Sequence, residues 1–468
     1  MSSKLKIVYI CQNCGHNSPK WLGNCPTCGQ WNTFSEEVAA TPSAVQRGGP
    51  VVRARPLPLS EPISTEGEVR HRIGLGELDR VLGGGLVSGS LVLLGGDPGV
   101  GKSTLLLMAL DRFSRRGLPT LYISAEESTR QVRLRAERLG ISGDMLYLLA
   151  ETDLDAALAA VEQVKPRALV LDSVQTLCSP RLDSVPGSVS QVREVASKAM
   201  ALAKGSDLAT FLVGHVTKDG GLAGPKALEH LVDTVLYFEG DGRSQLRVLR
   251  ATKNRFGSTG ELGFFEMSGL GLEEVPDASA RLLSERVADA AGTAVLSAIE
   301  GSRPLLAEVQ ALVGRPTPST PRRTVLGLEL ARLDMLAAVL GKLGFHLHDR
   351  DIFASAAGGV RLNEPAVDLA VAAALVSSLL DRPIDPHTLV FGEVGLVGEV
   401  RAVSHPGPRL AEAWRHGFRR VIVPIAAARN APEGLEVIGV RTLREALRVL
   451  FGGGSTPAAP GEGRPERH

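Results

Sequence analysis

Aromatic residues are scarce in this chain: they make up only 4% of 468 residues. Hydrophobic residues nevertheless make up 44% of the chain, so its cores must be built mainly from Leu, Val and Ala. The mean hydropathy of +0.07 excludes a wholly disordered protein. A chain of this length exceeds one ordinary core, so we expect two or three domains.

Long hydrophobic runs are also lacking. The longest apolar stretch, residues 366–380, contains Asp368 and is too short to cross a bilayer. A cysteine cluster begins at residue 11, where a signal peptide would have its apolar segment. We therefore expect a cytoplasmic protein with no membrane partner.

The chain has no excess of charge of either sign. Its 52 Lys and Arg residues balance 51 Asp and Glu residues, which gives a formal net charge of +1. Global charge therefore does not indicate a nucleic-acid partner, and any such partner would have to meet local basic loops.

A complete phosphate-loop motif is present at residues 96–103, which read GDPGVGKS. A short apolar run precedes it and a helix-forming run follows it, as the motif requires. The loop's backbone N–H groups and the helix N-terminus can bind an anion. We expect Lys102 to neutralise the phosphates of ATP and Ser103 to ligate Mg²⁺. The predicted nucleotide-binding residues are Gly96, Asp97, Pro98, Gly99, Val100, Gly101, Lys102, Ser103, Thr104 and Asp172.

Acidic residues follow two further strand patterns. Asp172 ends the apolar run 168–171 and is predicted to hold the magnesium shell. Glu126 follows the strand pattern 121–124 and is the candidate catalytic base, with Glu127 as the alternative. A helix cap or a solvated helix start remains open for these two glutamates.

Three more residues are candidates for the ATPase site. His215 follows the strand pattern 210–214 and could sense the γ-phosphate, although an ordinary structural histidine is as consistent with its position. Lys253 and Arg255 lie two residues apart on an extended segment. They resemble a pair of charges that completes the site of a neighbouring subunit, and a solvated hairpin is the alternative.

Four of the five cysteines form two C-x2-C pairs, each followed by glycine. Such pairs are typical of a tetrahedral Zn²⁺ site, which would fold a small module rather than catalyse a reaction. Two disulfides or an iron site are the alternatives, and disulfides are rare in the reducing compartment expected here. The predicted metal ligands are Cys11, Cys14, Cys25 and Cys28.

The order of patterns along the chain predicts an α/β protein with a mainly parallel sheet and a second, smaller α/β domain. Strands are expected at 91–95, 120–124, 168–172, 209–214, 233–238 and 246–252. The predicted segments are a zinc module at 1–35, a Pro-rich linker at 36–66, an ATPase domain at 67–270, a joint at 271–284, a second domain at 285–450 and a disordered tail at 451–468.

The block 71–101 resembles the RecA-like ATPase superfamily. Together with the four-cysteine module, the KNRFG segment at 253–257 and the C-terminal region, it resembles the bacterial RadA (Sms) family over about residues 7–450. The resemblance implies a DNA-dependent ATPase that forms hexameric rings and drives branch migration with the RecA recombinase. It also implies that Glu126 is the catalytic glutamate, that His215 replaces a γ-phosphate-sensing glutamine, and that Lys253 and Arg255 act in trans.

In the superfamily, loops after the strands line the central channel of the ring. The matching segments here are 179–190 and 218–226, so Arg181, Lys218 and Lys226 are the candidate contacts to single-stranded and branched DNA. A loop with incidental charge is the alternative.

Residues 362–370 and 391–401 are similar to the protease domain of Lon, which uses a Ser–Lys dyad. Ala366 stands at the serine position and the lysine position falls near Gly407, so we expect no peptidase activity. The resemblance leaves a ring scaffold as the role of this domain. A duplex-binding face is a further expectation, formed by Arg401, Arg409, Arg415, Arg419 and Arg420.

Three classes of function are therefore distinguished. The leading hypothesis is an ATP-driven DNA motor for recombination repair. A nucleotide-switched DNA-binding scaffold without motor activity is the alternative, although clock ATPases of that kind typically duplicate the ATPase domain and only one phosphate loop occurs here. An ATP-dependent protease is disfavoured by Ala366.

Overall fold

The computed structural model describes residues 7–11, 16–27, 29–38, 70–215, 227–240, 246–315, 321–429 and 431–452. The chain folds as two compact units, Met1–Pro276 and Asp277–His468. The boundary between the units falls inside the segment 271–284.

The first unit begins with a small antiparallel sheet in the order β2-β1-β3. Its strands are β1 (Ile7–Cys11), β2 (Asn17–Ser18) and β3 (Phe34–Val38). Its small core consists of Cys11, Cys25 and Phe34, with Tyr9 and Leu22 packed against them. We call residues 7–38 the ribbon.

The main sheet of the first unit has nine strands in the order β14-β13-β12-β11-β6-β10-β9-β7-β8. The six strands from β11 to β8 run parallel, and β12, β13 and β14 add antiparallel strands at one edge. A two-stranded pair precedes it, formed by β4 (Arg70–His71) and β5 (Leu86–Val87). The strands of the sheet are β6 (Leu91–Gly96), β7 (Thr120–Ser124), β8 (Leu146–Ala150), β9 (Ala168–Asp172), β10 (Ala209–Val213), β11 (Thr234–Glu239), β12 (Leu246–Asn254), β13 (Leu262–Ser268) and β14 (Gly271–Glu274).

Helices cover both faces of this sheet and bury one apolar cluster on each side. Leu105 and Leu110 on the helix after β6 belong to the first cluster, whereas Val192 and Val195 near the start of the longest helix belong to the second. The helices are α1 (Gly76–Val81), α2 (Lys102–Ser114), α3 (Thr129–Arg138), α4 (Leu154–Val164) and α5 (Val189–Ser206).

All six strands expected from the sequence are present in this sheet, two with the expected ends and four with ends that differ by at most two residues. Three strands were not expected: β8, β13 and β14. The sequence of β8, LYLLA, is an apolar run, but β8 is the last strand at one edge of the sheet and its residues are exposed or half-buried. The segment 271–284, expected to be a joint, contains a strand, because Gly271–Glu274 pairs with β13.

The second unit has a seven-stranded sheet in the order β17-β18-β16-β15-β19-β22-β23, and a separate β20-β21 hairpin. Helix α8 is almost wholly buried, which agrees with its Ala, Val and Leu content. The strands are β15 (Thr293–Glu300), β16 (Arg303–Gly314), β17 (Arg323–Leu326), β18 (Asp351–Ala356), β19 (Thr388–Val390), β20 (Glu393–Val394), β21 (Val400–Arg401), β22 (Arg420–Pro424) and β23 (Glu436–Val440). The helices are α6 (Ala278–Leu283), α7 (Leu330–Lys342), α8 (Asp368–Leu380), α9 (Pro406–Arg415) and α10 (Leu443–Phe451).

The α/β fold with a predominantly parallel sheet is confirmed. Within the described ranges, no helix combines the length and the apolar character needed to cross a membrane.

Candidate ATP site

The phosphate loop connects the carboxyl end of β6 to the first residue of α2, Lys102. Gly96 has a φ of +152°, and a Cβ there would lie 2.3 Å from the carbonyl oxygen of Phe238. Only glycine fits that backbone, because β6 and β11 pair closely at this point. The strand, the loop and the helix are therefore arranged as the motif predicts.

Lys102 is buried, and its Nζ donates to the carbonyl oxygens of Gly96 and Asp97 at 2.8 and 2.9 Å. Burial lowers the pKa of this ammonium, whereas the nearby carboxylates of Asp172, Glu126 and Asp97 raise it. Burial has the larger effect, so the pKa of Lys102 is lowered overall, and the side chain lies inside the loop.

Asp172 lies at the end of β9 and is 5% exposed. It accepts a short hydrogen bond from the Tyr122 hydroxyl of the neighbouring strand. Burial raises the pKa of Asp172, and hydrogen bonds from Tyr122 and Ser103 oppose this shift. A buried carboxylate next to a phosphate-loop hydroxyl is an oxygen donor set that suits Mg²⁺.

Glu126 and His215 come together beside this site. The Glu126 carboxylate accepts hydrogen bonds from Ser173 Oγ at 2.5 Å and from His215 Nε2 at 3.0 Å. The hydrogen bond from His215 is the largest cause that lowers the pKa of Glu126, although burial opposes it, and the charge of Lys102 lowers it further. Nδ1 of His215 is buried and has no hydrogen-bond partner within the described part of the chain.

Glu127, the alternative base, has a different environment. Its carboxylate forms an ion pair with Arg135 of α3 at 2.6 Å, and its backbone N–H donates to Ser124 Oγ. The two adjacent glutamates therefore point to different partners, and Glu126 is the one linked to His215 and Ser173.

Lys253 and Arg255 both contact the segment before β11. Lys253 Nζ donates to the carbonyl oxygens of Glu229 and Val232 at 2.7 and 2.8 Å, and Arg255 pairs with Asp233 at 3.0 Å. Burial and the charge of Arg255 lower the pKa of Lys253. Among the described residues, neither cation contacts the phosphate loop of its own chain.

The remaining predicted ligands are only partly described. Cys11 and Cys25 are fully buried, and each N–H donates to a carbonyl oxygen five residues later, that of His16 or Gln30, at 2.9 Å. Two buried thiols at the start of such turns fit half of a four-thiolate metal site. Cys14 and Cys28 lie outside the described residues.

The predicted DNA contacts lie mostly outside the described part as well. Arg181 forms an ion pair with Asp155 of α4 at 3.4 Å, and its side chain is largely exposed. Lys218 and Lys226 fall in the range 216–226, which the structure does not describe.

In the second unit, Ala366 is buried in the turn Pro365–Val367. The expectation that Arg409 contributes to a duplex-binding face is wrong. Its guanidinium is fully buried and forms a bidentate pair with Glu364, with a further bond to the carbonyl oxygen of Ser297. The positions of arginines in a sequence do not show whether a guanidinium faces solvent or is neutralised by a carboxylate in the core.

Sequence reasoning also missed four residues of these sites. Tyr122 and Ser173 bond to Asp172 and Glu126, but their residue types carry no motif. In the second unit, Glu364 forms an ion pair with the buried Arg409. Arg332 forms one with the buried Asp368 at 2.5 Å. A strand alignment that places Tyr122 beside Val170 could have indicated the first contact.

Comparisons with known proteins add family information. Family models match at residues 74–221 (AAA domain), 9–36 (Rubredoxin metal binding domain) and 332–427 (Subunit ChlI of Mg-chelatase). The DNA repair protein RadA of Bacillus subtilis is 48% identical over 96% of this chain and 100% of its own length. That of Pseudomonas aeruginosa is 50% identical with the same coverage. A solved KaiC-like protein of Pyrococcus horikoshii OT3 is 22% identical over 45% of this chain and all of its own, with a TM-score of 0.38.

Proposed function

Because the chain belongs to the RadA family of DNA repair proteins, we propose that it is a DNA-dependent ATPase and DNA motor. In this role it processes recombination intermediates by branch migration during homologous-recombination repair in the cytoplasm. The observation that carries the proposal is the Glu126–His215 hydrogen bond beside the phosphate loop. It links a candidate base to the end of the strand that precedes the candidate DNA-binding segment 218–226.

ATP binds at the phosphate loop in this proposal. Lys102 leaves its two backbone carbonyl partners and turns to the β- and γ-phosphates, while Ser103 and Asp172 hold Mg²⁺. When bound, Mg²⁺ neutralises charge that develops on the phosphate oxygens. The lowered pKa of Glu126 keeps it ionised and able to accept a proton from the attacking water.

His215 couples the nucleotide to DNA. Its Nε2 bonds to Glu126, and its Nδ1, which has no hydrogen-bond partner among the residues that the structure describes, gives it a second position for a hydrogen bond. A γ-phosphate that attracts the imidazole would weaken the bond to Glu126 and shift the adjoining segment. Hydrolysis would reverse this shift, so the His215–Glu126 hydrogen bond would form and break once in each ATPase cycle.

Lys253 and Arg255 act on the nucleotide of an adjacent protomer in a homo-hexameric ring. Their contacts with residues 229–233 hold both cations near the amino end of β11, where Asn254 pairs with Thr234. Their own phosphate loop begins at the other end of this strand, where Gly96 pairs with Phe238. This arrangement supports a role in trans. Arg181, Lys218 and Lys226 contact single-stranded or branched DNA, and the RecA recombinase is the partner that supplies the substrate.

The other two regions have structural roles in this proposal. Cys11, Cys14, Cys25 and Cys28 bind Zn²⁺ and fold the ribbon. The second unit has no peptidase activity, because the methyl group of Ala366 cannot attack a carbonyl.

ATP turnover measured with and without single-stranded DNA tests this proposal. We expect DNA to stimulate the wild-type chain at low salt, and Lys102→Ala to remove both basal and stimulated turnover. The absence of stimulation at low salt would contradict a DNA-dependent ATPase. DNA binding that responds to ATP without branch migration would favour the nucleotide-switched scaffold.

A further inference from the structure

Two tryptophans of the ribbon are unusually exposed. Trp21 is 52% exposed and Trp31 is 71% exposed, and they are the exposed large hydrophobic side chains among the described residues of the ribbon. An exposed indole leaves a large apolar ring in water, and its polar N–H can donate to a ligand, so tryptophan is enriched at recognition surfaces.

The two indoles flank one glycine. Each comes within 3.8 Å of the position that a Cβ of Gly23 would occupy. The Gly23 carbonyl accepts a hydrogen bond from Asn32 N–H at 2.8 Å, and Asn24 pairs with Trp31 in an antiparallel bridge. Both rings therefore lie next to a backbone position that has no side chain.

The ribbon does not need these rings for its own packing. Its core is formed by Cys11, Cys25 and Phe34. Leu22, the residue after Trp21, packs on that core. Trp21 and Trp31 do not belong to this cluster. The two rings therefore lie outside the core of this small fold.

A cation lies next to one of the rings, because Lys20 directly precedes Trp21. The two carboxylates of the ribbon, Glu36 and Glu37, lie on β3 and pair with Tyr9 and Val8 of β1, not with the segment 21–31 that carries the rings. Lys20 is therefore the charged group of the ribbon closest in sequence to the indoles, and it suits a phosphate that runs past them.

We propose that Trp21 and Trp31 form a stacking surface for the bases of single-stranded nucleic acid. Every base has a π face, so binding there is largely independent of sequence. Lys20 contacts a phosphate and makes binding dependent on salt. The ribbon is then a second nucleic-acid site in addition to the proposed loops of the ATPase domain.

Intrinsic fluorescence tests this proposal directly, because the chain has only three tryptophans. The third, Trp414, lies in the second unit, with Arg419 5.4 Å from its ring centroid. In full-length, zinc-loaded Trp414→Phe protein, only the ribbon indoles emit. Titration with oligothymidylate should quench this emission to saturation, and added salt should reverse the quenching. No nucleotide is required, so the result is independent of ATP hydrolysis.

Variants separate stacking from other roles. Trp31→Ala should weaken oligothymidylate binding about tenfold, whereas Trp31→Phe should retain most of the affinity. Val287→Ala, which trims another exposed apolar residue, is the matched control and should have no effect. Zinc content should stay the same in all variants. If Trp31→Ala loses zinc, Trp31→Leu is used in its place. Equal affinities of Trp31→Leu and Trp31→Phe for oligothymidylate would then overturn the proposal.

Two other results would overturn it. The first is unchanged emission under conditions where a labelled oligonucleotide shows binding by anisotropy. The second is a Trp31→Ala chain that keeps full DNA affinity but loses self-association in sedimentation, since this would identify the surface as a protein interface.

Discussion

The Glu126 carboxylate accepts a hydrogen bond from His215 Nε2 at 3.0 Å, although the two residues are 89 positions apart in sequence. They follow different strands, β7 and β10, with β9 between them in the sheet. Parallel strands end at one edge, so the fold brings a carboxylate and an imidazole together beside Lys102.

Removal of the His215 imidazole should change the pH dependence of ATP turnover. Its hydrogen bond lowers the pKa of Glu126, so His215→Ala should raise that pKa. A base works only above its pKa, and turnover should therefore be lost at a higher pH as the solution is acidified. The acid limb of the pH–rate profile is the measurement. The exposed His348 is the control, since His348→Ala should leave the limb in place. An unshifted limb in His215→Ala would contradict the assignment of Glu126.

The two adjacent glutamates should respond differently to the loss of charge. Glu126→Gln should reduce turnover by about 10²–10⁴-fold with little effect on ATP binding, because it removes the base. Glu127→Gln breaks a half-exposed ion pair with Arg135, which should cost no more than about 1 kcal/mol of stability and leave most turnover. Single-turnover hydrolysis and nucleotide titration check both. Comparable losses in the two variants would exclude a special role for Glu126.

Complementation tests whether Lys253 acts in trans. Lys102→Ala and Lys253→Ala should each lack ATPase activity alone. Lys102→Ala cannot hold the phosphates, and Lys253→Ala cannot supply a positive charge to the nucleotide of the adjacent protomer. A mixture should regain part of the activity at interfaces where an intact loop meets an intact Lys253. Turnover against mixing ratio is the measurement, with Leu134→Ala in place of Lys253→Ala as the control. A mixture as inactive as its components would contradict the role in trans.

The buried ion pair in the second unit should be important for stability. Arg409→Met leaves the Glu364 carboxylate without its bidentate partner and should lower the free energy of unfolding of this unit by about 3–5 kcal/mol. Arg420→Met breaks an exposed pair with Glu436 and should cost at most about 1 kcal/mol. Denaturant titration compares them. Equal stabilities of the two variants would show that burial of Arg409 contributes nothing.

Features within one short segment could be predicted from the sequence. The phosphate loop depends on glycines and Lys102 in eight consecutive residues, and the central strands contain continuous apolar runs such as residues 168–171. The edge strand Leu146–Ala150 is also apolar in sequence but is not among the expected strands, because so short a run does not by itself distinguish a strand from a helical segment. The fold class could therefore be predicted from the sequence, because the hydrophobic pattern indicates which segments are buried.

Contacts between distant segments could not be predicted in the same way. The Tyr122–Asp172 bond depends on the register between two strands, and the Arg409–Glu364 pair depends on how α9 packs in its unit. Nothing near Arg409 in the sequence shows that a carboxylate 45 positions away neutralises it. Charged residues were therefore the least reliable part of the sequence interpretation.

Branch migration by purified protein tests the central claim most directly. The wild-type chain should extend heteroduplex on a joint molecule with ATP, and Glu126→Gln should bind ATP and DNA but extend nothing. Heteroduplex extension by Glu126→Gln at the wild-type rate would contradict an ATP-driven motor that depends on this carboxylate.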